Sequence, residues 1–177
     1  MLSKPIFFRK RAYSAQKSFF AGTHRILSPE ETWEKIAPLA KKIGVTRVSN
    51  ITGLDRVGIP VTLAIRPGTQ TLVTSSGKGI SYISALVSGL MEALEIYCAE
   101  ETELPFLHLS YNELITRFPA PDLSDFHYRK ASLFHPDWKE RWSLGWDLVR
   151  QEEFAVPTLC VTMNPRFNAQ EKTELFS

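Results

Sequence analysis

The stretch SALVSGLMEALEIYCAEE, Ser84 to Glu101, is apolar enough for a core helix yet carries two carboxylates in its middle. At about 100° per residue, Ser88, Glu92 and Glu95 fall on one line along a helix. Ser81, Ala85 and Ala99 lie close to that line, so the carboxylates sit on a stripe of small residues that leaves room for something to approach. The opposite arc holds Ile83, Leu86, Leu90, Leu94 and Tyr97, flanked by Val87 and Met91. Two carboxylates one turn apart repel each other unless a cation or a proton intervenes. From Gly79 to Glu103 the chain has no lysine or arginine, so the positive charge must come from outside the helix. A magnesium ion is one source; arginines elsewhere, such as Arg47, Arg56 or Arg66, are the other.

Directly before this helix, which the pattern predicts over about 79–101, stands Ser75-Ser76-Gly77-Lys78-Gly79. Glycines at a strand-to-helix turn can free backbone N–H groups for an anion at the helix N-terminus, with Lys78 adding a point charge. It is not a Walker A loop, because Leu72 and Gly79 stand where glycine and Ser or Thr would be needed. Phosphates and carboxylates at one site, all negative, imply Mg2+ between them, since that ion takes oxygen ligands from one or two carboxylates plus phosphates.

Upstream, SPEETWEKIAPLAKKIGV offers Ser28 as N-cap, Pro29 at the first helical position and Glu31 completing a capping box. Ile36, Leu39, Ala40 and Ile43 form the apolar face, and Gly44 ends the helix. TRVSNITG, IPVTLAIRPG and QTLVTSSG read as strands separated by glycine and proline. A second helix is expected at 110–118 and a strand at 154–163, with Pro157 favouring an edge. Trp138, Trp142 and Trp146 recur every four residues, a spacing that fits a core face. The order of elements predicts an α+β fold, or α/β, with a mixed β-sheet and packed helices.

With 177 residues, 44% hydrophobic and 23% charged, the composition is that of one globular domain. No charge-free apolar run approaches the roughly 18 residues of a membrane span, so no membrane partner is expected. Cys98 and Cys160 read as small buried hydrophobes without a disulfide, which places the chain in a reducing, cytoplasmic compartment. The four histidines lack metal-ligand spacing. Before Glu30 there are six basic residues and no acidic one, while the remainder has 15 basic against 19 acidic. Such a start can be a transit peptide or a short nucleic-acid arm. A basic strand and loop facing a bound anion suits the acidic remainder better, and no nucleic-acid partner is expected.

These pieces together carry a resemblance. SPEET, IGVTRVSNITGLDRVGIPV, AIRPG, SSGKG and SGLMEALEIYCAEE, in that order, resemble the N-terminal half of a YcaO domain. The likeness is dense from about Lys17 to Glu101 and thinner through VPTLCVTMN, and TGLDRVGIPV is closest to the TfuA-associated, thioamide-forming branch. It implies a single, incomplete YcaO-like domain over 1–177. It also implies ATP and Mg2+ as cofactors for activating a peptide-backbone amide, leading to an azoline or a thioamide in a peptide or protein substrate. In this resemblance Ser88, Glu92 and Glu95 form the ATP site, Glu92 and Glu95 hold Mg2+, and Lys17 and Arg25 are basic contacts near the phosphates. Catalytic residues are not identified. The second acidic motif of the family is not reproduced by Glu171 and Glu174, so a second-half or TfuA-like partner protein and self-association are expected. The alternative is a non-catalytic YcaO-like module that binds a peptide or a partner.

Overall fold

The computed structural model describes residues 5–20, 22–125 and 134–164. Glu171 and Glu174 lie outside the described residues. In chain order the elements are β1 (Ile6–Phe8), β2 (Arg11–Tyr13), β3 (Ser18–Phe20), β4 (Thr23–Arg25), α1 (Pro29–Lys42), β5 (Arg47–Asn50), β6 (Val61–Ile65), β7 (Thr74–Lys78) and α2 (Tyr82–Glu101). They continue with β8 (Leu107–Ser110), α3 (Tyr111–Ile115), β9 (Lys139–Asp147) and β10 (Glu152–Pro157). Every pairing among the described residues is antiparallel, which selects α+β over α/β and replaces the expected mixed sheet. The chain divides into a helix–sheet unit, Ala15–Glu101, and a β-rich unit that joins the residues around β1 and β2 to those from Thr102 onward.

In the helix–sheet unit, β5, β6 and β7 form a meander against which α2 packs, with α1 against α2. Alternation puts Val48, Ala64 and Ser75, paired across the three strands, on one face together with Thr62 and Gly77. These residues are mostly small, so α2 comes close. Thr62 Oγ1 donates to the carbonyl of Ala85 at 2.7 Å. A methyl group at Gly77 would overlap the Ala85 carbonyl oxygen and the Gly89 nitrogen. The line of α2 that meets the sheet is therefore Ala85, Gly89, Ala93, Ile96 and Glu100, all buried. This corrects the expected open stripe: Ala85 is used for packing, and the carboxylates flank the packed face. Ile43, Ala64 and Ala93 form the core, with Val45, Val48, Leu94 and Tyr97 against them.

The α1 cap forms as expected. Ser28 Oγ accepts from the Glu31 N–H at 3.1 Å, and Glu31 Oε2 accepts from the Ser28 N–H at 2.8 Å. Gly44 follows the helix at φ +80°, a conformation that costs glycine little. By length and composition alone α2 could cross a membrane, but its line of packing on the sheet and its polar residues make it a core helix here.

The β-rich unit has the sheet β10-β9-β8 and the separate hairpin β1–β2. The second expected helix is shorter than its sequence pattern, and it is capped by a Ser110–Glu113 capping box. Pro157 ends β10, which is an edge strand, and Thr158–Cys160 form a single 310 turn, so the expected strand to 163 stops early. Trp142 and Trp146 lie on strand β9, where a separation of four also keeps one face. Trp142 is core, Trp146 is half-buried and Trp138 is exposed. Cys98 and Cys160 are unpaired as expected, but both are exposed rather than buried.

Candidate functional site

On α2, Ser88 and Glu95 are exposed and Glu92 is half-buried. Among the described residues neither carboxylate makes an ion pair or side-chain hydrogen bond. Of the candidate arginines, Arg66 is committed elsewhere, and Arg47 and Arg56 make no ion pair among the described residues. The repulsion along Ser88–Glu95 is thus not relieved from within the described fold.

Arg66 instead meets Glu100, a residue the sequence pattern did not single out. Both side chains are buried, and Arg66 Nη2 donates to Glu100 Oε2. Glu100 Oε1 accepts from Thr69 Oγ1 at 2.6 Å, from the Thr71 N–H at 2.8 Å and from Thr71 Oγ1. Burial by itself would raise the Glu100 pKa; the hydrogen bonds from Thr69, Thr71 and Arg66, with the Arg66 charge, hold it down at about 2. One signal could have found it: Glu100 continues the line of Gly89, Ala93 and Ile96, the face that packs on the sheet. The pair fixes the β6–β7 connection to the end of α2.

The glycines of Gly77-Lys78-Gly79 do not form an anion-binding loop. Gly77 and Lys78 belong to β7, and the Gly79 N–H already donates to the Pro60 carbonyl at 3.2 Å. Gly77 lets α2 approach, while the alternation of β7 turns Lys78, exposed, to the opposite face of the sheet. Lys17 precedes β3 and is exposed; Arg25 ends β4 and donates to the carbonyl of its neighbour His24 at 3.0 Å. The basic start is divided: Lys17 and Arg25 belong to the helix–sheet unit, Arg9, Lys10 and Arg11 to the β-rich unit.

The donor set on α2 fits a hard divalent cation. Two carboxylates and a hydroxyl share one face of a helix, and among the described residues no cation pairs with either carboxylate. Among the described residues no three His, Cys, Asp or Glu side chains cluster as a metal cage. A pair of carboxylates suits Mg2+, which keeps waters and takes further oxygens from a bound phosphate.

Comparisons with known proteins identify the family and the fold. An uncharacterised protein of Mycobacterium tuberculosis is 37% identical over 146 residues, covering 81% of this chain and 32% of its own length. A protein encoded in the tfuA 3′ region of Rhizobium leguminosarum bv. trifolii is 42% identical over 76 residues, covering 43% of this chain and 18% of its own length. This chain thus spans a third or less of the curated relatives it matches. The structure of YcaO from Methanopyrus kandleri, bound with AMPPCP and Mg2+, superposes with a TM-score of 0.58 at 27% identity, covering 79% of this chain and 34% of that one. A heterocyclase in complex with substrate and cofactor shares the fold with a TM-score of 0.67 at 21% identity, covering 87% of this chain and 24% of that one. The model of the YcaO cyclodehydratases, an ATP- and Mg2+-binding family, matches residues 76–176, a span that begins just before α2 and includes Ser88, Glu92 and Glu95. With that match over more than half its length, the chain belongs to the YcaO family.

Proposed function

We propose that this chain is a component of an ATP-dependent enzyme that activates a backbone amide of a peptide or protein, for azoline cyclodehydration or thioamide formation. The observation that carries it is the pair Glu92 and Glu95, held on a rigid helix without a cationic partner among the described residues. Mg2+ bound with ATP would supply charge neutralisation for phosphoryl transfer to the amide oxygen. Glu92 and Glu95 hold the cation, and Ser88, one turn before Glu92, offers a hydroxyl to a phosphate oxygen. Lys17 and Arg25 add positive charge for the phosphates, a role supported by the resemblance alone. Lys78 is left out of the set on α2, because β7 turns it to the other face. The chain spans about a third of the length of the YcaO from Methanopyrus kandleri and of the mycobacterial relative. A TfuA-like partner is supported by the relative from the tfuA region. The unpaired cysteines support a cytoplasmic setting.

Isothermal titration of the chain with Mg2+–ATP tests this. Binding that weakens about tenfold or more in Glu92→Gln and Glu95→Gln is expected, and equal binding by the double variant overturns the assignment. That the chain spans a third or less of its curated relatives favours a second reading, a non-catalytic YcaO-like module that binds a peptide or a partner. Peptide binding without any nucleotide binding by the wild-type chain selects it.

A further inference from the structure

The β-rich unit contains a cleft of about 790 Å3, within the range of ligand sites. Its floor is one face of the sheet: Trp142, Leu144 and Trp146 of β9, with Leu107 opposite Trp142 and Glu153 opposite Trp146. Phe118 and Pro119 form a wall, fixed where the Pro119 carbonyl accepts from the Ala155 N–H at 2.8 Å. Arg9 and Lys10, the turn between β1 and β2, also line the cleft. The turn is fastened there: Arg9 Nη2 donates to the Leu144 carbonyl at 3.2 Å and Trp146 Nε1 to the Phe7 carbonyl at 3.0 Å. Arg9 and Lys10 have φ of +45° and +67°, where two-residue hairpins normally use Asn-Gly. Bulky basic residues in that conformation cost stability, and they persist where the surroundings over-determine them.

Lys10, Arg117, Glu152 and Glu153 all line this cleft, and among the described residues none of their side chains is in an ion pair or hydrogen bond. Charges of both signs surround an aromatic floor, and Arg117 also lies close enough to Glu113 to help hold the pKa of that carboxyl below its usual value. A simple anion would be repelled by the glutamates and a simple cation by Lys10 and Arg117. A ligand that carries both signs around an apolar group is complementary to both sets, and the volume exceeds what a single amino acid fills. We propose that this cleft binds an extended peptide segment carrying an acidic and a basic side chain around an aromatic or aliphatic one. The site lies wholly within the β-rich unit and does not rest on the nucleotide assignment.

The probe is an acetylated, amidated heptapeptide with aspartate, phenylalanine and lysine at alternate positions among alanines. Tryptophan emission and isothermal titration follow its binding to the full chain without nucleotide. Saturable binding is expected. Arg117→Glu and Glu153→Lys should each weaken it about tenfold, with unchanged thermal melts because both residues are exposed. A peptide with lysine in place of aspartate should recover affinity for Arg117→Glu. No binding by the wild type, equal binding by both variants, or equally tight binding of phenylalanine amide overturns the proposal. Because Mg2+–ATP is titrated separately, failure here leaves the nucleotide assignment standing, and the converse holds.

Discussion

Glu92 and Glu100 stand on one helix eight residues apart and have opposite surroundings. Glu100 is enclosed by Arg66, Thr69 and Thr71, so Glu100→Gln leaves the buried Arg66 uncompensated. A loss of about 3–5 kcal/mol is expected in denaturant unfolding. Its pKa, held at about 2, lies below the value of an unfolded glutamate near 4.3, so the folded state prefers the ionised form. That contribution is fully present above about pH 4.3 and is lost as pH falls toward 2. The wild-type chain should therefore lose stability across that window with a slope that Glu100→Gln lacks, and parallel acid titrations of the two would refute the role given to this pair. Glu92 and Glu95 have no such enclosure. Glu92→Gln and Glu95→Gln remove a repulsion and strand no cation among the described residues, so stability should stay within about 0.5 kcal/mol of wild type or rise slightly. A large loss in nucleotide-free melts would mean that the carboxylates are structural.

The packing of α2 on β7 depends on the absence of two side chains. At Gly77 a methyl group would meet backbone atoms of Ala85 and Gly89, which cannot move without displacing the helix. At Gly89 the nearest atoms would be Thr62 Oγ1 at 3.1 Å and the Gly77 nitrogen at 3.2 Å, a tight fit that a displacement of a few tenths of an ångström relieves. Gly77→Ala should thus cost about 3 kcal/mol, near the upper end of overpacking changes, and Gly89→Ala about 1 kcal/mol. Denaturant melts in the reverse order would contradict the close approach. These two elements also show what the sequence made visible. The cap of α1 was readable because Ser28, Pro29 and Glu31 act locally. The line Ser88, Glu92, Glu95 was readable because helical spacing is fixed. The roles of Gly77 and Gly79 were not, because a glycine that admits a neighbouring helix looks the same in sequence as one that frees an N–H for an anion. Glu100 stayed hidden because its partners Arg66, Thr69 and Thr71 are more than 25 residues away along the chain. The strand of Trp142 and Trp146 was ambiguous because a spacing of four suits either period.

The connection between β5 and β6 presents Leu54, Val57 and Ile59 at 83%, 71% and 51% exposure, and Ile80 of the same unit is 73% exposed. Scattered apolar residues are ordinary on a surface, but three within six positions of one connection form a patch that water wets poorly. The relatives carry at least twice as much further sequence as the part that this chain matches, so such surface has more chain available to cover it there. A second copy of this chain carries the same patch and is a source of apolar cover. Self-association that rises with concentration is therefore expected in light scattering. Because apolar contact drives it, added salt should not reverse it, whereas pairing between exposed charges would weaken as ionic strength rises. Leu54→Asp combined with Val57→Asp should shift the population toward monomer while leaving the melting temperature close to wild type, since neither side chain contributes to the core around Ile43, Ala64 and Ala93. A wild-type chain that stays monomeric at high concentration would count against the patch as an interface, and association unchanged in the double variant would place the contact elsewhere.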